Sequence, residues 1–268
     1  MRLSTEAEAA GYRLSVLDET GSTSNDAFAA ARAGDPGRHW FVAQRQSAGR
    51  GRHGRQWASP PGNLYASLLL VDPCPPAVAP QLGFIAGVAV HDAASSVAGI
   101  AAPRLALKWP NDLILDGGKL AGLLLEGQFI QPGGTFCVAI GIGVNVAAAP
   151  QGTPYPTSTL GGGTDITVAD LFLALSRAFA HRYEPWRAAQ AKGGDAFAAM
   201  RQAWLARAAG IGAPVTLRLP SGERQGAFRG LDPSGRLQLE TATGLELIDA
   251  GDLYFAGLDT PSSAHLGA

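Results

Sequence analysis

Trp40-Phe41-Val42-Ala43 and Leu64-Tyr65-Ala66-Ser67-Leu68-Leu69-Leu70 bracket the run Gln46-Ser47-Ala48-Gly49-Arg50-Gly51-Arg52-His53-Gly54-Arg55-Gln56-Trp57. The flanks are short apolar stretches, rich in aromatic and branched residues, and read as buried strands. Between them Arg50, Arg52 and Arg55 alternate with Gly49, Gly51 and Gly54, and Trp57 closes the run. Glycine accepts positive φ and has no Cβ, so such a backbone can lie close against a ligand. Arginine is permanently charged and presents a fork of donors suited to phosphate oxygens. The stretch predicts an anion-binding loop strung between strands. A solvated Arg-Gly turn or an RNA-binding Arg-Gly segment accounts for the same letters.

At 268 residues the chain can hold one large domain and a small one. Its formal net charge of −1 gives no global basic field, so the local arginines favour a small anionic ligand over a nucleic acid. Cys74 and Cys137 lie far apart and match no metal spacing, which makes a reduced, cytoplasmic setting the expectation, with no protein metal site. The N-terminus lacks a basic segment followed by an apolar core, so no signal peptide is expected. Ala77 to Ala102 is apolar but is interrupted by Gln81, His91 and Asp92, which predicts a buried helix rather than a membrane span. Gly83 and Gly87, four apart, predict close packing of that helix.

Residues 1–11 read as a frayed lead and Tyr12 to Asp18 as a strand. Ser22-Thr23-Ser24-Asn25-Asp26 opens an alanine-rich helix that stops near Gly34. Capping alone can explain the hydroxyls, and a helix start can equally hold a polar ligand. In Lys108-Trp109-Pro110-Asn111-Asp112, Pro110 forces Trp109 extended and Asn-Asp makes a corner. Gly117-Gly118 then marks a two-residue hairpin turn, in a register that sets Asp116 opposite Lys119 and Leu113 opposite Gly122. Gly122 would lie near the Asn111-Asp112 corner. No Walker pattern surrounds Lys119. Gly141, Gly143 and Asn145, two apart, share one strand face, a bare floor ending in an amide. A flat heterocycle over that floor would give the amide a partner, while a close helix is the competing explanation.

Thr167 with Asp170 predicts a capping box opening a helix to about Tyr183, with Pro185 just beyond, and a further helix runs from about Asp195 to Ala209. From Gly212 short alternating runs separated by Ser221-Gly222, Asp232-Pro233-Ser234-Gly235 and Thr243-Gly244 predict a small β-barrel. The expected boundaries are a catalytic domain over 12–210, a barrel over 211–258 and a tail over 259–268.

Taken together, Gly-Arg-Gly-Arg-x-Gly-Arg-x-Trp at 49–57, Lys-Trp-Pro-Asn-Asp-Leu at 108–113, Gly-Lys-Leu-Ala-Gly at 118–122 and Gly-Ile-Gly-x-Asn at 141–145 resemble the biotin–protein ligases. The motifs stand in family order between about Leu14 and Phe255. The resemblance implies an α+β fold, with a mixed-sheet catalytic domain followed by a small SH3-like barrel. It implies an ATP-dependent ligase that makes biotinyl-5′-AMP and transfers biotin to a lysine of a biotin carboxyl carrier protein, with Mg²⁺ accompanying the nucleotide. It sets biotin against Ser22, Thr23, Ser24, Gln46, Gly49, Arg50, Gly51, Arg52, Lys119, Gly122, Gly141 and Gly143. Ser24 stands where many members have asparagine. The adenylate side would be Arg50, Arg52, Arg55, Trp57, Asn111, Lys119 and Asn145, and the catalytic groups Lys119, Arg52 and Asp112.

Members that are also repressors carry a helix-turn-helix before the Ser-Thr motif. Only a short lead precedes Ser22 here, so no DNA binding is expected, and no membrane partner either. Monomer and weak dimer both stay open. A lipoate or octanoate ligase of the same fold is the nearest alternative, and an Arg-Gly RNA-binding module the alternative from another class.

Overall fold

The structure, a computed structural model, describes residues 1–100, 102–131, 134–161 and 165–255. The expected tail over 259–268 lies outside the described residues. Seven strands, β1 (Arg13–Thr20), β2 (His39–Gln46), β3 (Leu64–Val71), β4 (Leu105–Lys108), β5 (Asp112–Leu115), β6 (Gly118–Phe129) and β7 (Phe136–Val144), form a sheet ordered β1-β2-β3-β7-β6-β5-β4. β1 and β2 are parallel and the other neighbours antiparallel. A parallel pair needs a crossover, and α2 (Thr23–Arg32) supplies it. The central strand β3 is buried along nearly its whole length, so its sequence is a continuous apolar run rather than an alternation.

Two helical layers cover the sheet. On one face Ala27, Phe28 and Ala31 of α2 pack against Phe41, Leu69, Cys137 and Ala139. On the other lie α3 (Gln81–Ala98), α4 (Val168–Ala191) and α5 (Ala198–Leu205), whose apolar residues join the main core. α3 is apolar around most of its circumference because sheet and helices surround it. Among the described residues no helix is long and apolar enough to cross a membrane. Gly87 does meet Leu107 and Trp204, at 3.5 and 3.7 Å from a would-be Cβ, but nothing lies within 4 Å of Gly83. The expected pair of packing glycines is therefore a single one.

Three further expectations are corrected. The lead is ordered: α1 (Thr5–Ala9) is capped by Ser4, buries Leu3 and Ala7, and is tied to α4 by Ser4 N–H donating to Ser176 Oγ at 3.0 Å. α4 runs through Pro185, which forfeits one backbone hydrogen bond. Burial of Tyr183 and Trp186, and a 2.8 Å bond from Trp186 Nε1 to Gln81 Oε1, hold the turn around it. α5 is shorter at both ends than the 195–209 expected.

The β5–β6 hairpin turns at Asp116-Gly117, one residue earlier than the glycine pair suggested. Both residues have positive φ, 49° and 80°, as a tight hairpin turn requires, and Asp-Gly is a favoured pair for it. Leu115 consequently faces Gly118 and Ile114 faces Lys119. The register then shifts, so that Leu113 faces Ala121 and Asp112, not Leu113, faces Gly122. Leu120 is the extra residue of this bulge.

After Gly210 the chain forms a second, five-stranded antiparallel sheet of β8 (Pro214–Leu219), β9 (Gly222–Leu231), β10 (Leu237–Thr241), β11 (Gly244–Ile248) and β12 (Asp252–Phe255), ordered β11-β10-β9-β8-β12. Leu107 on β4 donates to Arg207 O and accepts from Ala209 N–H, both at 2.8 Å, and this ties the connecting segment to the edge of the first sheet. β12, which the alternating runs did not single out, returns along β8 and brings Asp252 back toward the first sheet.

Candidate active site

The N-terminus of α2 closes one end of a pocket. Ser22 occupies the cap position but makes no side-chain cap bond, and the neighbouring hydroxyls are not spent on capping either. Thr23 N–H and Thr23 Oγ1 reach Gln46 Oε1 at 2.9 and 3.1 Å. Thr23 Oγ1 is 2.7 Å from Ser67 Oγ, which is 3.0 Å from Ser24 Oγ. Ser22, Thr23, Ser24 and Ser67 are all buried, so four hydroxyls gather at one dry wall.

Two glycines form the floor. A Cβ at Gly143 would lie 2.5 Å from the Trp57 ring, and one at Gly122 would lie 2.9 Å from it. Side chains at either position are excluded by the indole that lies there. Gly141 sits under Ser24, 3.2 Å from a would-be Cβ to its hydroxyl oxygen, so α2 as well as an open cavity accounts for that glycine. Trp57 Nε1 is buried with no hydrogen-bond partner, a donor waiting for an acceptor.

At the other end lies Lys119. Its ammonium is 2.7 Å from Asp112 Oδ1 and stands over the Trp57 and Tyr155 rings at 5.6 and 5.4 Å from their centres. The Lys–Asp pair is close but poorly directed, since Asp112 Oδ1 makes no hydrogen bond of good geometry. Asn111 donates to Leu123 O at 2.5 Å and accepts from Arg52 at 3.3 Å, so the corner before β5 is pinned to β6.

The arginine loop lies over this pocket between β2 and β3. Arg50 grips Glu126 through both carboxylate oxygens at 3.0 and 3.1 Å and Asn25 at 2.6 Å. Arg55 donates to Asp252 at 2.6 Å, and Arg52 reaches Asp252 at 3.4 Å and Gly251 O at 3.2 Å. Burial raises the Asp252 carboxyl, but the bond from Arg55 and the charges of Arg55, Arg52 and His53 outweigh it and hold the group below the usual carboxylate range. Arginines folded back on carboxylates differ from the free array an RNA-binding segment would present.

Of the residues the sequence singled out, Ser22, Thr23, Ser24, Gln46, Arg50, Gly51, Arg52, Arg55, Trp57, Asn111, Asp112, Lys119, Gly122, Gly141 and Gly143 line this one pocket. Gly49 does not. It is buried beneath the loop, with its carbonyl bonded to Trp57 N–H at 2.9 Å. Asn145 lines a cleft on the far side of Trp57 and already donates to Lys119 O at 3.3 Å, so its amide has a partner without a ligand. Sequence reasoning missed Ser67, Tyr155, Glu126 and Asp252. Ser67 carried a signal, being the one aliphatic hydroxyl inside an apolar strand, whereas Asp252 carried none. Among the described residues no cluster of three or more His, Cys, Asp or Glu side chains could hold a metal ion.

Residues 32–145 match the biotin/lipoate A/B protein ligase family, and residues 210–255 match the biotin protein ligase C-terminal domain. A biotin–[acetyl-CoA-carboxylase] ligase of Paracoccus denitrificans is 42% identical over 248 residues, covering 90% of this chain and 100% of the relative. The chain belongs to the biotin/lipoate protein ligase family. Another member so named, from Mycobacterium tuberculosis, is 35% identical over 91% of this chain and 89% of its own. Among solved structures, a biotin protein ligase from Aquifex aeolicus in complex with biotin and ATP superposes with a TM-score of 0.74 at 26% identity, covering 90% of this chain and 97% of that one. The α+β architecture and its C-terminal antiparallel sheet are those of the biotin protein ligases.

Proposed function

We propose that the protein activates biotin with ATP and transfers it to a lysine of a biotin carboxyl carrier protein, in a catalytic unit over 12–210 assisted by the unit over 211–258. One observation carries the reading: a single pocket joins a buried hydroxyl wall and glycine floor to Lys119 and the loop arginines. The first end suits a compact heterocycle bearing N–H and C=O groups. The second suits the oxygens of two anions that must meet.

In the first half-reaction the biotin carboxylate attacks the α-phosphorus of ATP. The bond to the bridging oxygen breaks and pyrophosphate leaves with its electron pair. A carboxylic acid with a pKa of about 4 to 5 is already ionised at neutral pH, so no general base is required. The obstacle is repulsion between anions, and Lys119 and Arg52 are in position to offset it. Lys119 would exchange its poorly directed contact with Asp112 for phosphate oxygens, and Arg52 and Arg55 would exchange Asp252. Mg²⁺ would accompany the nucleotide; among the described residues no cluster of three or more His, Cys, Asp or Glu side chains could hold it.

In the second half-reaction the carrier lysine nitrogen attacks the carbonyl carbon of the mixed anhydride, an amide forms, and AMP departs with the electrons of the broken C–O bond. A lysine ammonium with a pKa of about 10.4 must first lose a proton, and Asp112, beside Lys119 in the pocket, is the acceptor assigned to it in this reading.

The space under the loop is only about 100 Å³, well below the roughly 300–1,000 Å³ of ligand pockets. The loop therefore acts as a lid that lifts to admit substrates, with Trp57 leaving the floor. The test is pyrophosphate exchange into ATP with biotin, lipoate or octanoate, followed by mass analysis of a carrier domain incubated with protein, biotin and MgATP. Exchange driven by biotin and modification of a single lysine are expected. Exchange driven by lipoate or octanoate alone would overturn the reading.

A further inference from the structure

The hydroxyl wall can be read proton by proton. Thr23 N–H, a backbone donor, faces a side-chain atom of Gln46 at 2.9 Å, so that atom is the carbonyl oxygen Oε1. The Thr23 hydroxyl lies 3.1 Å from the same oxygen, which has no proton to give, so Thr23 Oγ1 is the donor there. Its one proton is then committed. Ser67 Oγ, 2.7 Å from Thr23 Oγ1, must therefore donate to it. With the Ser67 proton also committed, the 3.0 Å contact to Ser24 requires Ser24 Oγ to donate to Ser67. The chain of bonds runs one way, from Ser24 through Ser67 and Thr23 to Gln46.

We infer that Ser67 is the positioning residue that carries the polarity set at Gln46 to Ser24, and that the relay selects a cyclic urea by presenting lone pairs to its N–H groups. The inference rests on the proposed reading of the pocket as a biotin site. With its proton turned to Ser67, Ser24 offers the pocket acceptor lone pairs and no donor. Thr23 keeps one lone pair. Gln46 Oε1 is used twice, while its Nε2 has an N–H beyond the 3.3 Å bond to Ser59 and can serve a carbonyl. The wall thus offers acceptors at Ser24 and Thr23 and a donor at Gln46, the complement of a C=O flanked by N–H groups. Ser67 is held in place to do this: it lies on the central strand β3, fully buried, in register with Gly141. A group with a further N–H in place of the urea oxygen would meet the Gln46 donor head-on and be rejected.

Removing the Ser67 hydroxyl takes away the acceptor of the Ser24 proton, so Ser24 can present a proton or a lone pair, while the Thr23 proton stays on Gln46 Oε1. Ser67→Ala is expected to raise KM for biotin about tenfold, with kcat and KM for ATP changed less than about twofold. The wild type's preference for biotin over 2-iminobiotin, whose urea oxygen is replaced by N–H, is expected to fall by a similar factor. Ser67→Cys, which retains a weak donor and acceptor of similar shape, should recover part of both. Thermal melting of each variant shows whether it is folded. An unchanged KM and unchanged 2-iminobiotin discrimination in a folded Ser67→Ala would overturn the inference while leaving the biotin reading intact. A wild type that shows no biotin-dependent exchange would overturn that reading itself. Equal losses in kcat and in KM for both substrates would mean that Ser67 only supports the fold, and would also overturn it.

Discussion

Arg55 Nη2 donates to Asp252 Oδ2 at 2.6 Å, joining positions 197 apart in the chain, so a carboxylate of the second sheet holds the arginine loop over the pocket of the first. Arg52 shares the same carboxylate. Asp252→Ala should release the loop, and tryptic cleavage within 49–57 of the substrate-free protein should speed up about fivefold, the equivalent of one partly exposed ion pair of about 1 kcal/mol. Because the Asp252 carboxyl is held below its ordinary range, the contact is present at neutral pH and is lost only as pH falls through that lowered value. Cleavage rates that match the wild type across pH 6 to 8 would show that the contact does not hold the loop.

Arg52→Gly removes the contacts of Arg52 with Asn111, Gly251 and Asp252 together and leaves Arg55 on Asp252. The adenylate should then escape the pocket and label bystander proteins diffusely. Labelling still restricted to the carrier domain would count against retention of the adenylate by the loop.

Lys119→Ala should leave the folded chain intact but remove the cation proposed to face both anions. Biotin-dependent pyrophosphate exchange should fall by at least about a hundredfold, as when a charge-stabilising donor is lost. Normal exchange in that variant excludes the role given to Lys119.

Gly143→Ala puts a methyl group into the Trp57 ring, 2.5 Å away. Overpacking of this kind costs about 1–3 kcal/mol, and here the indole can swing out instead of the sheet giving way. Tryptophan emission should shift to the red, and the shift should vanish in a Trp57→Phe background. KM for biotin should rise about tenfold or more. An unshifted spectrum with unchanged KM would show that Trp57 does not rest on the floor.

Asp35 makes a prediction about stability. Burial raises its carboxyl, but bonds from Arg13, His39 and Gly37 N–H prevail and bring it from 3.8 down to about 2. A group lowered in this way contributes stability above its unfolded value and loses that contribution as pH falls through the folded one. Asp35→Asn should therefore be less stable than wild type at neutral pH, and the difference should shrink between pH 4 and 2 in urea titrations. A difference independent of pH would place the effect elsewhere.

Much of this fold was legible because burial writes itself into short windows. The Trp40–Ala43 and Leu64–Leu70 runs are strands because both faces of β2 and β3 are covered, and the Thr167–Asp170 capping box sits where its letters say. Pro185 misled because local geometry disfavours a proline inside a helix, and only the packing of Tyr183 and Trp186 overrides it. The pocket was legible wherever a motif is local, as at 118–122. Asp252 was not, because its role depends on a second sheet folding back over residues nearly two hundred positions earlier. Ser67 lay between the two cases, its hydroxyl visible in the strand but its partners on α2 supplied only by the fold.

Leu120, the extra residue of the β6 bulge, settles a question of parity. Side chains of a regular strand alternate, so two residues three apart point to opposite faces. Lys119 and Gly122 are three apart, yet a Cβ on Gly122 would lie 3.3 Å from Lys119 Cε, on the same side. The additional residue restores the match, and Lys119 joins Asp112 and Gly122 on the pocket face although Leu120 itself is buried in the core beneath. Without the bulge, the same five residues in regular alternation would keep the lysine and both flanking glycines and still turn the ammonium away from the pocket. In Gly118-Lys119-Leu120-Ala121-Gly122 the way the residues pair is thus as much a part of the site as their identities.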